Sequence, residues 1–480
     1  MTPTRNFVVL YINGIRHAIS GADAFIMLAD YLRKKIHLTG TKIVCAEGDC
    51  GACTVLKAPN DRPIFEPINA CIALVFQLDG CHLVTVEGLP KDQQLSPVQK
   101  ALVTCNASQC GFCTPGFAVA LTALFEKPPH ALTEQKVKNC LTGNLCRCTG
   151  YKPFIEAAMS ASQQSLEPLH QRYLTPEAIV DLAHTRKIPL HIQNDNRELS
   201  GPIDLKSAIT LQQSEPVPLL VGGATDLGVA VNKGRRAIGR VTSLHLIPKL
   251  HDITHEKDRI TVGALASIND VRRYCKNHVP VFSRFLNIFA SPQIKNQGTL
   301  VGNVVNGSPI ADTLPALMVL ETLLHIEGPH GVRKLSLEQF YTGYKTTALM
   351  AHEIITHLSF AMVSKAHNLQ LEKVSNRRDL DIATVNAAFV LALAPSTQQV
   401  ADVRLSLGGV GPTVLLLRKT AAVMQGQTLN QALVEKATSV MLTEIAPISD
   451  VRASADYRRV VSVKLFQKYC EGVMNEANIA

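Results

Sequence analysis

The sequence predicts a multidomain α+β chain, and three observations carry that expectation. Two strand-like runs around Asn13-Gly14 lead into a helix and more strands within the first 85 or so residues. A helical pattern then runs from Ser96 to Gln164, and from about residue 203 strands and helices mix around two Gly-rich segments. At 480 residues, the rough rule of 100–200 residues per domain gives about three domains.

Taken in order, Phe7–Ile12 and His17–Ser20 flank Asn13-Gly14, a two-residue hairpin signal. Ala24–Ile36 reads as an amphipathic helix through Phe25, Leu28, Ala29, Leu32 and Ile36. Strands at Thr54–Lys57 and Leu83–Val86 complete a small α+β domain over 1–88. Pro97–Asn106, Pro115–Lys127, Thr133–Leu141 and Pro153–Gln164 read as four helices, a small bundle over 89–165. Ser96-Pro97 and Thr114-Pro115 have the form of an N-cap followed by proline in the first turn. Polar, proline-dotted sequence over 166–202 reads as a linker.

The interval 203–366 has strands at Pro218–Val221, Ile260–Gly263 and Glu353–Phe360, with helices that include Thr313–Leu320. The last interval, 367–480, has strand-like Thr384–Ala394 and Ala401–Gly408 and a closing helix near Val461–Asn475.

Apolar residues make up 46% of the chain, yet runs such as Ala387–Ala394 fall far short of the roughly 20 residues of a membrane span. No secretory signal is read at the N-terminus, so the expectation is a cytoplasmic protein with no membrane partner. Eleven of the thirteen cysteines precede residue 150. In a reducing compartment such clustering points to metal or redox chemistry rather than disulfides. The formal charge of +9 shows no tract like a nucleic-acid arm and hints only at phosphate-bearing ligands.

Cys45, Cys50, Cys53 and Cys71 have the spacing C-x4-C-x2-C-x17-C, the plant-type ferredoxin arrangement for a [2Fe–2S] cluster. An anionic cluster wrapped by a tight loop needs backbone N–H groups turned toward its sulfurs, and Gly48 and Gly51 permit those turns. Zinc sites favour paired C-x2-C knuckles instead. The second set is Cys110 and Cys113 with Cys146 and Cys148, each pair lying just before an expected helix start. Two helix N-termini would then face one anionic centre. Spacing alone leaves zinc open here; position behind a ferredoxin-like domain favours a second [2Fe–2S] cluster. Cys81, Cys105 and Cys140 read as structural thiols.

Pro218–Gly228 is a buried strand entering a Gly-rich turn, suited either to a pyrophosphate or to an ordinary strand-to-helix connection. Phe289–Asn303 and Ser308–Asp312 form a second unusual segment. Asp312 is either the N-cap of the following helix or a ribose acceptor, and Phe289 either plain core or a cover for a flavin ring. Lys373 and Asn376-Arg377-Arg378-Asp379 are either solvated charges or contacts to a flavin and to nicotinamide phosphates.

With both cysteine sets, Gln109–Gly116, Asn144–Tyr151, Leu220–Leu227, Phe289–Asn303 and Ser308–Asp312 in one order, the chain resembles the molybdenum hydroxylases. The likeness is to the small iron–sulfur and FAD subunits of the xanthine-oxidising bacterial members. That resemblance implies a ferredoxin-like β-grasp domain, a four-helix [2Fe–2S] bundle, an α+β FAD-binding domain and a C-terminal α+β flavoprotein domain. It implies flavin contacts at Leu220, Val221, Gly222, Gly223, Ala224, Thr225, Asp226, Leu227, Phe289, Thr299, Val301, Gly302, Asn303, Asp312, Ile355 and Lys373.

It further implies that Gln109 and Cys148 face the pterin of a molybdopterin-binding large subunit, which holds the substrate site, in a heterotetramer of two small and two large chains. NAD would be the electron acceptor. The chain departs from animal members at Gly223-Ala224, where they have Gly-Asn, at Thr299 for serine and at Asn306 for threonine; Val44 stands where glycine often precedes the first ligand. Aldehyde, carbon monoxide or N-heterocycle oxidation is the neighbouring alternative, and a zinc-stabilised binding protein the distant one.

Overall fold

The computed structural model describes every residue except 1–3, 60, 61, 63, 127–131, 164, 165, 365, 396 and 480. It divides into two compact units: residues 1–248 with 290–298, and residues 249–289 with 299–480.

In the first unit, β1 (Phe7–Ile12), β2 (Ile15–Ser20), β3 (Thr54–Pro59), β4 (Glu66–Asn69) and β5 (Cys81–Val84) form one sheet in the order β2-β1-β5-β3-β4. β1 pairs parallel with β5 and antiparallel with β2. The hairpin between β1 and β2 turns at Asn13 (φ 51°) and Gly14 (φ 86°), the two left-handed residues its tight turn requires. The helix expected over Ala24–Ile36 is instead three short turns, Gly21–Phe25, Leu28–Asp30 and Tyr31–Lys35. The cause is long-range pairing: Ile26 and Met27 are extended, Ile26 accepts from the Val75 N–H, and Met27 bridges to Leu74. Tertiary contacts override helix propensity there.

Helices Pro97–Thr104, Thr114–Leu124, Glu134–Cys140 and Lys152–Ala161 follow. Ser96 caps the first through a reciprocal bond with Gln99, with Pro97 in the first turn. Thr114 does not cap the second; it is the first helical residue, and its hydroxyl donates to Ser108. Phe117 and Phe154 stack at 3.8 Å between centroids, both fully buried, a contact worth about 0.5–1.5 kcal/mol beyond area burial.

The interval 166–202, expected as a linker, carries regular structure. It contains helices Leu169–Tyr173 and Pro176–Thr185 and the hairpin of β6 (Leu190–Asn194) and β7 (Arg197–Gly201). The signals are short but physical: Thr175 caps Pro176–Thr185, and Leu190, Ile192 and Leu199 alternate inward. The segment is bonded to what precedes it. The Tyr173 hydroxyl donates to the Gly88 carbonyl at 2.7 Å, and buried Arg5 pairs with Asp79 at 2.7 Å while its N–H donates to the Pro189 carbonyl at 2.8 Å. β8 (Leu219–Val221) and β9 (Arg240–Ser243) complete a sheet in the order β6-β7-β9-β8.

In the second unit, β10 (Ile253–Glu256), β11 (Arg259–Gly263), β12 (Leu323–Gly328), β13 (Gly331–Ser336) and β16 (Ile354–Ala361) make a sheet in the order β10-β11-β16-β12-β13, with a small hairpin of β14 (Tyr341–Gly343) and β15 (Thr346–Thr347). A second sheet runs β17 (Asn368–Val374), β18 (Val385–Leu393), β19 (Val400–Gly408) and β20 (Leu415–Leu416). Helices Gln431–Glu444 and Ala455–Ile479 cover it, burying Phe389, Leu405, Met441, Phe466 and Tyr469 in one core. Each fully buried large side chain contributes about 1.5–3 kcal/mol. Among the described residues no helix is long and apolar enough to cross a membrane.

Candidate iron–sulfur and flavin sites

The first cysteine set is gathered by the loop preceding β3 and by the turn after β4. The Cys45 thiol lies within bonding reach of Cys50 and Cys71, and Cys71 reaches Cys53. These contacts hold Cys45 far below the ordinary thiol range and push Cys50 and Cys71 above it. The N–H groups of Glu47 and Cys50 donate to Cys45 Sγ at 3.4 and 3.5 Å, and those of Ala52 and Gly48 serve Cys50 and Cys71. Gly48 (φ 74°) and Gly51 (φ 67°) are left-handed as expected, and Ala46 (φ 54°) joins them. Four thiols in a nest of inward N–H groups fit an anionic sulfur-rich cluster.

Among the described residues, no group of three or more His, Cys, Asp or Glu side chains closes on a single ion position. The thiols here touch in series, 50–45–71–53, and it is on these contacts that the grouping rests; a two-iron core shares its four ligands between two metal atoms.

Sequence reasoning missed three asparagines around this loop. Asn69, only 1% exposed, donates to the Gly48 carbonyl at 2.8 Å and accepts from Cys53 Sγ at 3.7 Å. Asn232 donates to the carbonyls of Ala46 and Cys71 at 2.9 and 2.7 Å, and Lys233 pairs with Glu47 at 2.6 Å. Asn144, also 1% exposed, donates to the Gly51 carbonyl at 3.1 Å. Each is a long-range contact, invisible to local spacing.

The second set pairs Cys113 with Cys146 and Cys110 with Cys148. Burial first, then contact with Cys146, pushes Cys113 up to about 12. Cys146 lies below the ordinary thiol range, since the Thr149 hydroxyl at 3.1 Å and nearby N–H groups outweigh its partial burial. Cys110 and Cys148 are exposed, beside the exposed apolar side chains of Phe112 and Leu145. Cys110 and Cys113 precede helix Thr114–Leu124, and Cys146 and Cys148 precede Lys152–Ala161, so both loops sit where the sequence put them, at helix N-termini.

The thiol contacts of the two sets run among Cys45, Cys50, Cys53 and Cys71 and among Cys110, Cys113, Cys146 and Cys148. The Cys140 thiol is enclosed, although the residue as a whole is partly exposed; burial pushes it up to about 12, and it donates to the Ala120 carbonyl at 3.2 Å.

The two cysteine loops touch directly. The Leu145 N–H donates to the Cys50 carbonyl at 2.9 Å. A Cβ at Gly116 would lie 2.3 Å from the Gly51 carbonyl, and one at Gly51 would lie 2.0 Å from the Gly143 carbonyl. The loops approach so closely that only glycine fits at both positions.

Of the flavin candidates, Leu220–Leu227 lie in the first unit. Val221 is buried at the end of β8, Ala224 is left-handed (φ 50°), and helix Thr225–Asn232 starts immediately after it. Asp226 is exposed. The Gly222 carbonyl accepts from Gln77 at 3.1 Å and that of Gly223 from Gln297 at 3.3 Å. Among the described residues the buried Gln297 Oε1 has no partner, an acceptor left beside a turn built for close approach. The helix that begins at this turn ends with Asn232 on the first cysteine loop, about 12 Å of helix later.

Phe289, Thr299, Val301, Gly302, Asn303, Asp312, Ile355 and Lys373 lie in the second unit. Thr299 caps Leu300–Val305 by accepting the Gly302 N–H at 2.9 Å. Asn303 accepts the Thr313 hydroxyl at 2.5 Å. Phe289, Val301 and Ile355 are buried. Asp312 makes no side-chain cap to helix Thr313–Val319; it pairs with Lys373 at 2.7 Å. That lysine side chain is 2% exposed, so it is no solvated surface charge. Burial raises the Asp312 carboxyl above its ordinary range against the pull of Lys373. Lys373 also donates to the Ile288 carbonyl at 3.4 Å, which brings Asp312, Lys373 and the Phe289 turn together. Arg377 and Arg378 are exposed, with Arg377 3.7 Å from Asp381.

A model described as the FAD binding domain in molybdopterin dehydrogenase matches residues 195–360. A [2Fe-2S] binding domain matches 85–159, and the CO dehydrogenase flavoprotein C-terminal domain matches 371–473. These three domains, in this order, fit the 2Fe-2S and FAD subunit of the molybdenum hydroxylase family. It is 28% identical to a xanthine dehydrogenase of Emericella nidulans over 97% of this chain and 38% of that protein. It is 29% identical to one of Drosophila subobscura, over 96% of this chain and 39% of that protein. Thus it spans about two-fifths of the length of these curated relatives. Among solved structures, reconstituted CO dehydrogenase from Oligotropha carboxidovorans matches with a TM-score of 0.52 and 26% identity, over 56% of this chain and 94% of that chain.

Proposed function

We propose that this chain is the electron-transfer subunit of a xanthine dehydrogenase. In this reading a molybdopterin-bearing large subunit oxidises hypoxanthine and xanthine, and the present chain carries the electrons away to NAD. When bound, the two [2Fe–2S] clusters pass single electrons, and FAD collects two and releases a hydride. Cys45, Cys50, Cys53 and Cys71 would hold one cluster, and Cys110, Cys113, Cys146 and Cys148 the other. The sixteen residues named above would hold the flavin, with the Leu220–Leu227 turn taking its pyrophosphate.

The observation that carries the reading is the direct bond between the cysteine loops, Leu145 N–H to Cys50 carbonyl at 2.9 Å. Two metal-binding loops that serve folding alone have no need to touch, whereas electron passage favours short separation. Asn232 then ties the first loop to the helix that opens at the Gly222-Gly223 turn. The exposed face at Cys110, Cys148, Phe112 and Leu145 suits the large subunit, in a heterotetramer of two small and two large chains.

A second reading keeps the wiring and changes the substrate to carbon monoxide, an aldehyde or an N-heterocycle. The likeness to CO dehydrogenase favours it, but that likeness covers 56% of this chain, and the xanthine dehydrogenases align over 97% and 96%. Fusion of all these domains on one chain therefore supports xanthine.

The test is purification from the native host. We expect a red-brown protein with about four irons per chain, FAD, and a large co-purifying chain with xanthine:NAD activity. The isolated small chain should pass electrons from NADH to dyes and leave xanthine untouched. A colourless zinc protein would overturn the wiring; a partner that oxidises another substrate would overturn xanthine alone.

A further inference from the structure

Segment 290–298 belongs to the first compact unit although it falls within the matched FAD domain. Its Gln293 is 1% exposed and touches both cysteine loops. Gln293 Nε2 donates to Asn144 Oδ1 at 2.9 Å, to Thr54 Oγ1 at 3.1 Å and, weakly, to the Gly143 carbonyl at 3.5 Å. Thr54 follows Cys53, and Asn144 lies two residues before Cys146. Both in turn donate to the Gly51 carbonyl, Thr54 at 2.6 Å and Asn144 at 3.1 Å. Farther along the same segment, Asn296 donates to the Pro67 carbonyl before the Cys71 turn, at 2.9 Å, and Gln297 to the Gly223 carbonyl at 3.3 Å.

We infer that Gln293 is a positioning residue for electron passage: its amide clamps the loop of the second cysteine set to the loop of the first. The clamp is specific in shape. A Cβ on Gly143 would stand 2.0 Å from Gln293 Oε1, so the amide lies flat against a backbone that has no side chain. The amide is also committed, because among the described residues Oε1 is buried without a partner, and burying an unpaired acceptor is costly. A side chain kept at that cost, in contact with both loops, fixes their separation more tightly than the backbone bond from Leu145 alone. The flavin-domain segment thereby registers both clusters against each other and against the Gly223 turn. This inference rests on the proposed electron-transfer role and concerns how that role is tuned.

The experiment uses the full chain as isolated, comparing wild type with Gln293→Met, Gln293→Glu, Thr54→Val and Thr54→Ser. Four quantities are read: iron per chain, the two reduced-cluster resonances, their magnetic splitting by one another at low temperature, and the rate at which NADH reduces the second cluster after mixing. Gln293→Met, Gln293→Glu and Thr54→Val should keep full iron and both resonances, weaken the splitting, and slow that reduction about tenfold, the scale of lost outer-shell support at metal sites. Thr54→Ser, which keeps the hydroxyl, should restore both splitting and rate.

Unchanged splitting and rate in iron-replete Gln293→Met and Gln293→Glu would overturn the clamp and leave the wiring intact. So would a Thr54→Ser variant as slow as Thr54→Val. If a Gln293 variant fails to retain iron, the Thr54 pair decides. Wild-type chain without iron or without two resonances would instead overturn the electron-transfer reading itself.

Discussion

Replacing Lys373 by methionine tests the buried ion pair of the second unit. At 2.7 Å, two unit charges in a medium of effective dielectric ~20 attract by about 6 kcal/mol, an upper bound on what the substitution removes. The carboxyl left behind has a relief route, because Asp312 is already raised above its ordinary range by burial and takes up a proton when its cation goes. Measured losses for breaking one side of a buried pair are about 3–5 kcal/mol, and we expect that range for Lys373→Met at pH 8.

The sign of the pH dependence follows from linkage. A carboxyl whose folded pKa exceeds its unfolded value binds its proton more tightly in the native state, so stability falls as pH rises through the interval between the two. Removing Lys373 pushes the folded value further up and widens that interval. The deficit relative to wild type should therefore shrink toward pH 5, by at most about 1.4 kcal/mol per pH unit. Urea unfolding of the full chain at pH 5 and pH 8, with FAD in the same excess throughout, measures it. Asp312→Asn combined with Lys373→Met should recover much of the loss at pH 8. A deficit below about 1 kcal/mol, or one that does not change between the two pH values, refutes the buried-pair argument.

Cys50→Ser should abolish one reduced-cluster resonance and leave the other; loss of neither refutes the first ligand set. Asn232→Ala removes two bonds to the first cysteine loop and should cost about 1–3 kcal/mol. That is read as a melting shift of several degrees, with a perturbed resonance from the first cluster only. Cys140→Ala should keep full iron and both resonances, because that thiol serves the Ala120 carbonyl; iron loss without unfolding would make it a ligand.

The short cysteine loops, Cys45–Cys53, Cys110–Cys113 and Cys146–Cys148, were legible from residue type and local spacing, and the fold brings their thiols into contact with one another and with Cys71. The β1–β2 hairpin was legible for the same local reason, two positive φ values at Asn13 and Gly14. What escaped was carried by contacts between distant segments. Asn69, Asn144, Asn232 and Gln293 act through backbone carbonyls or side chains that no spacing rule connects to them. The 166–202 interval looked like a linker because its elements are short and its stabilising partners, Gly88 and Glu126 among them, lie far upstream. For Lys373 the sequence left both a solvated charge and a flavin contact open, because only the fold reveals Asp312 beside it.

The formal charge of +9 acquires a physical explanation once the sites are taken together. A two-iron cluster with four thiolates carries about −2 when oxidised, so two of them with a flavin pyrophosphate add about −6 in all. The loaded chain would then be left near +3, from the +9 of the bare sequence. Excess lysine and arginine in the bare sequence therefore reads as compensation for anionic groups held inside. Isoelectric focusing checks it directly. Chain stripped of iron and flavin should focus near the sequence value of about 8.9, and the loaded chain distinctly lower. Equal positions for the two forms would mean that the bound groups do not carry the charge that the positive excess is balancing.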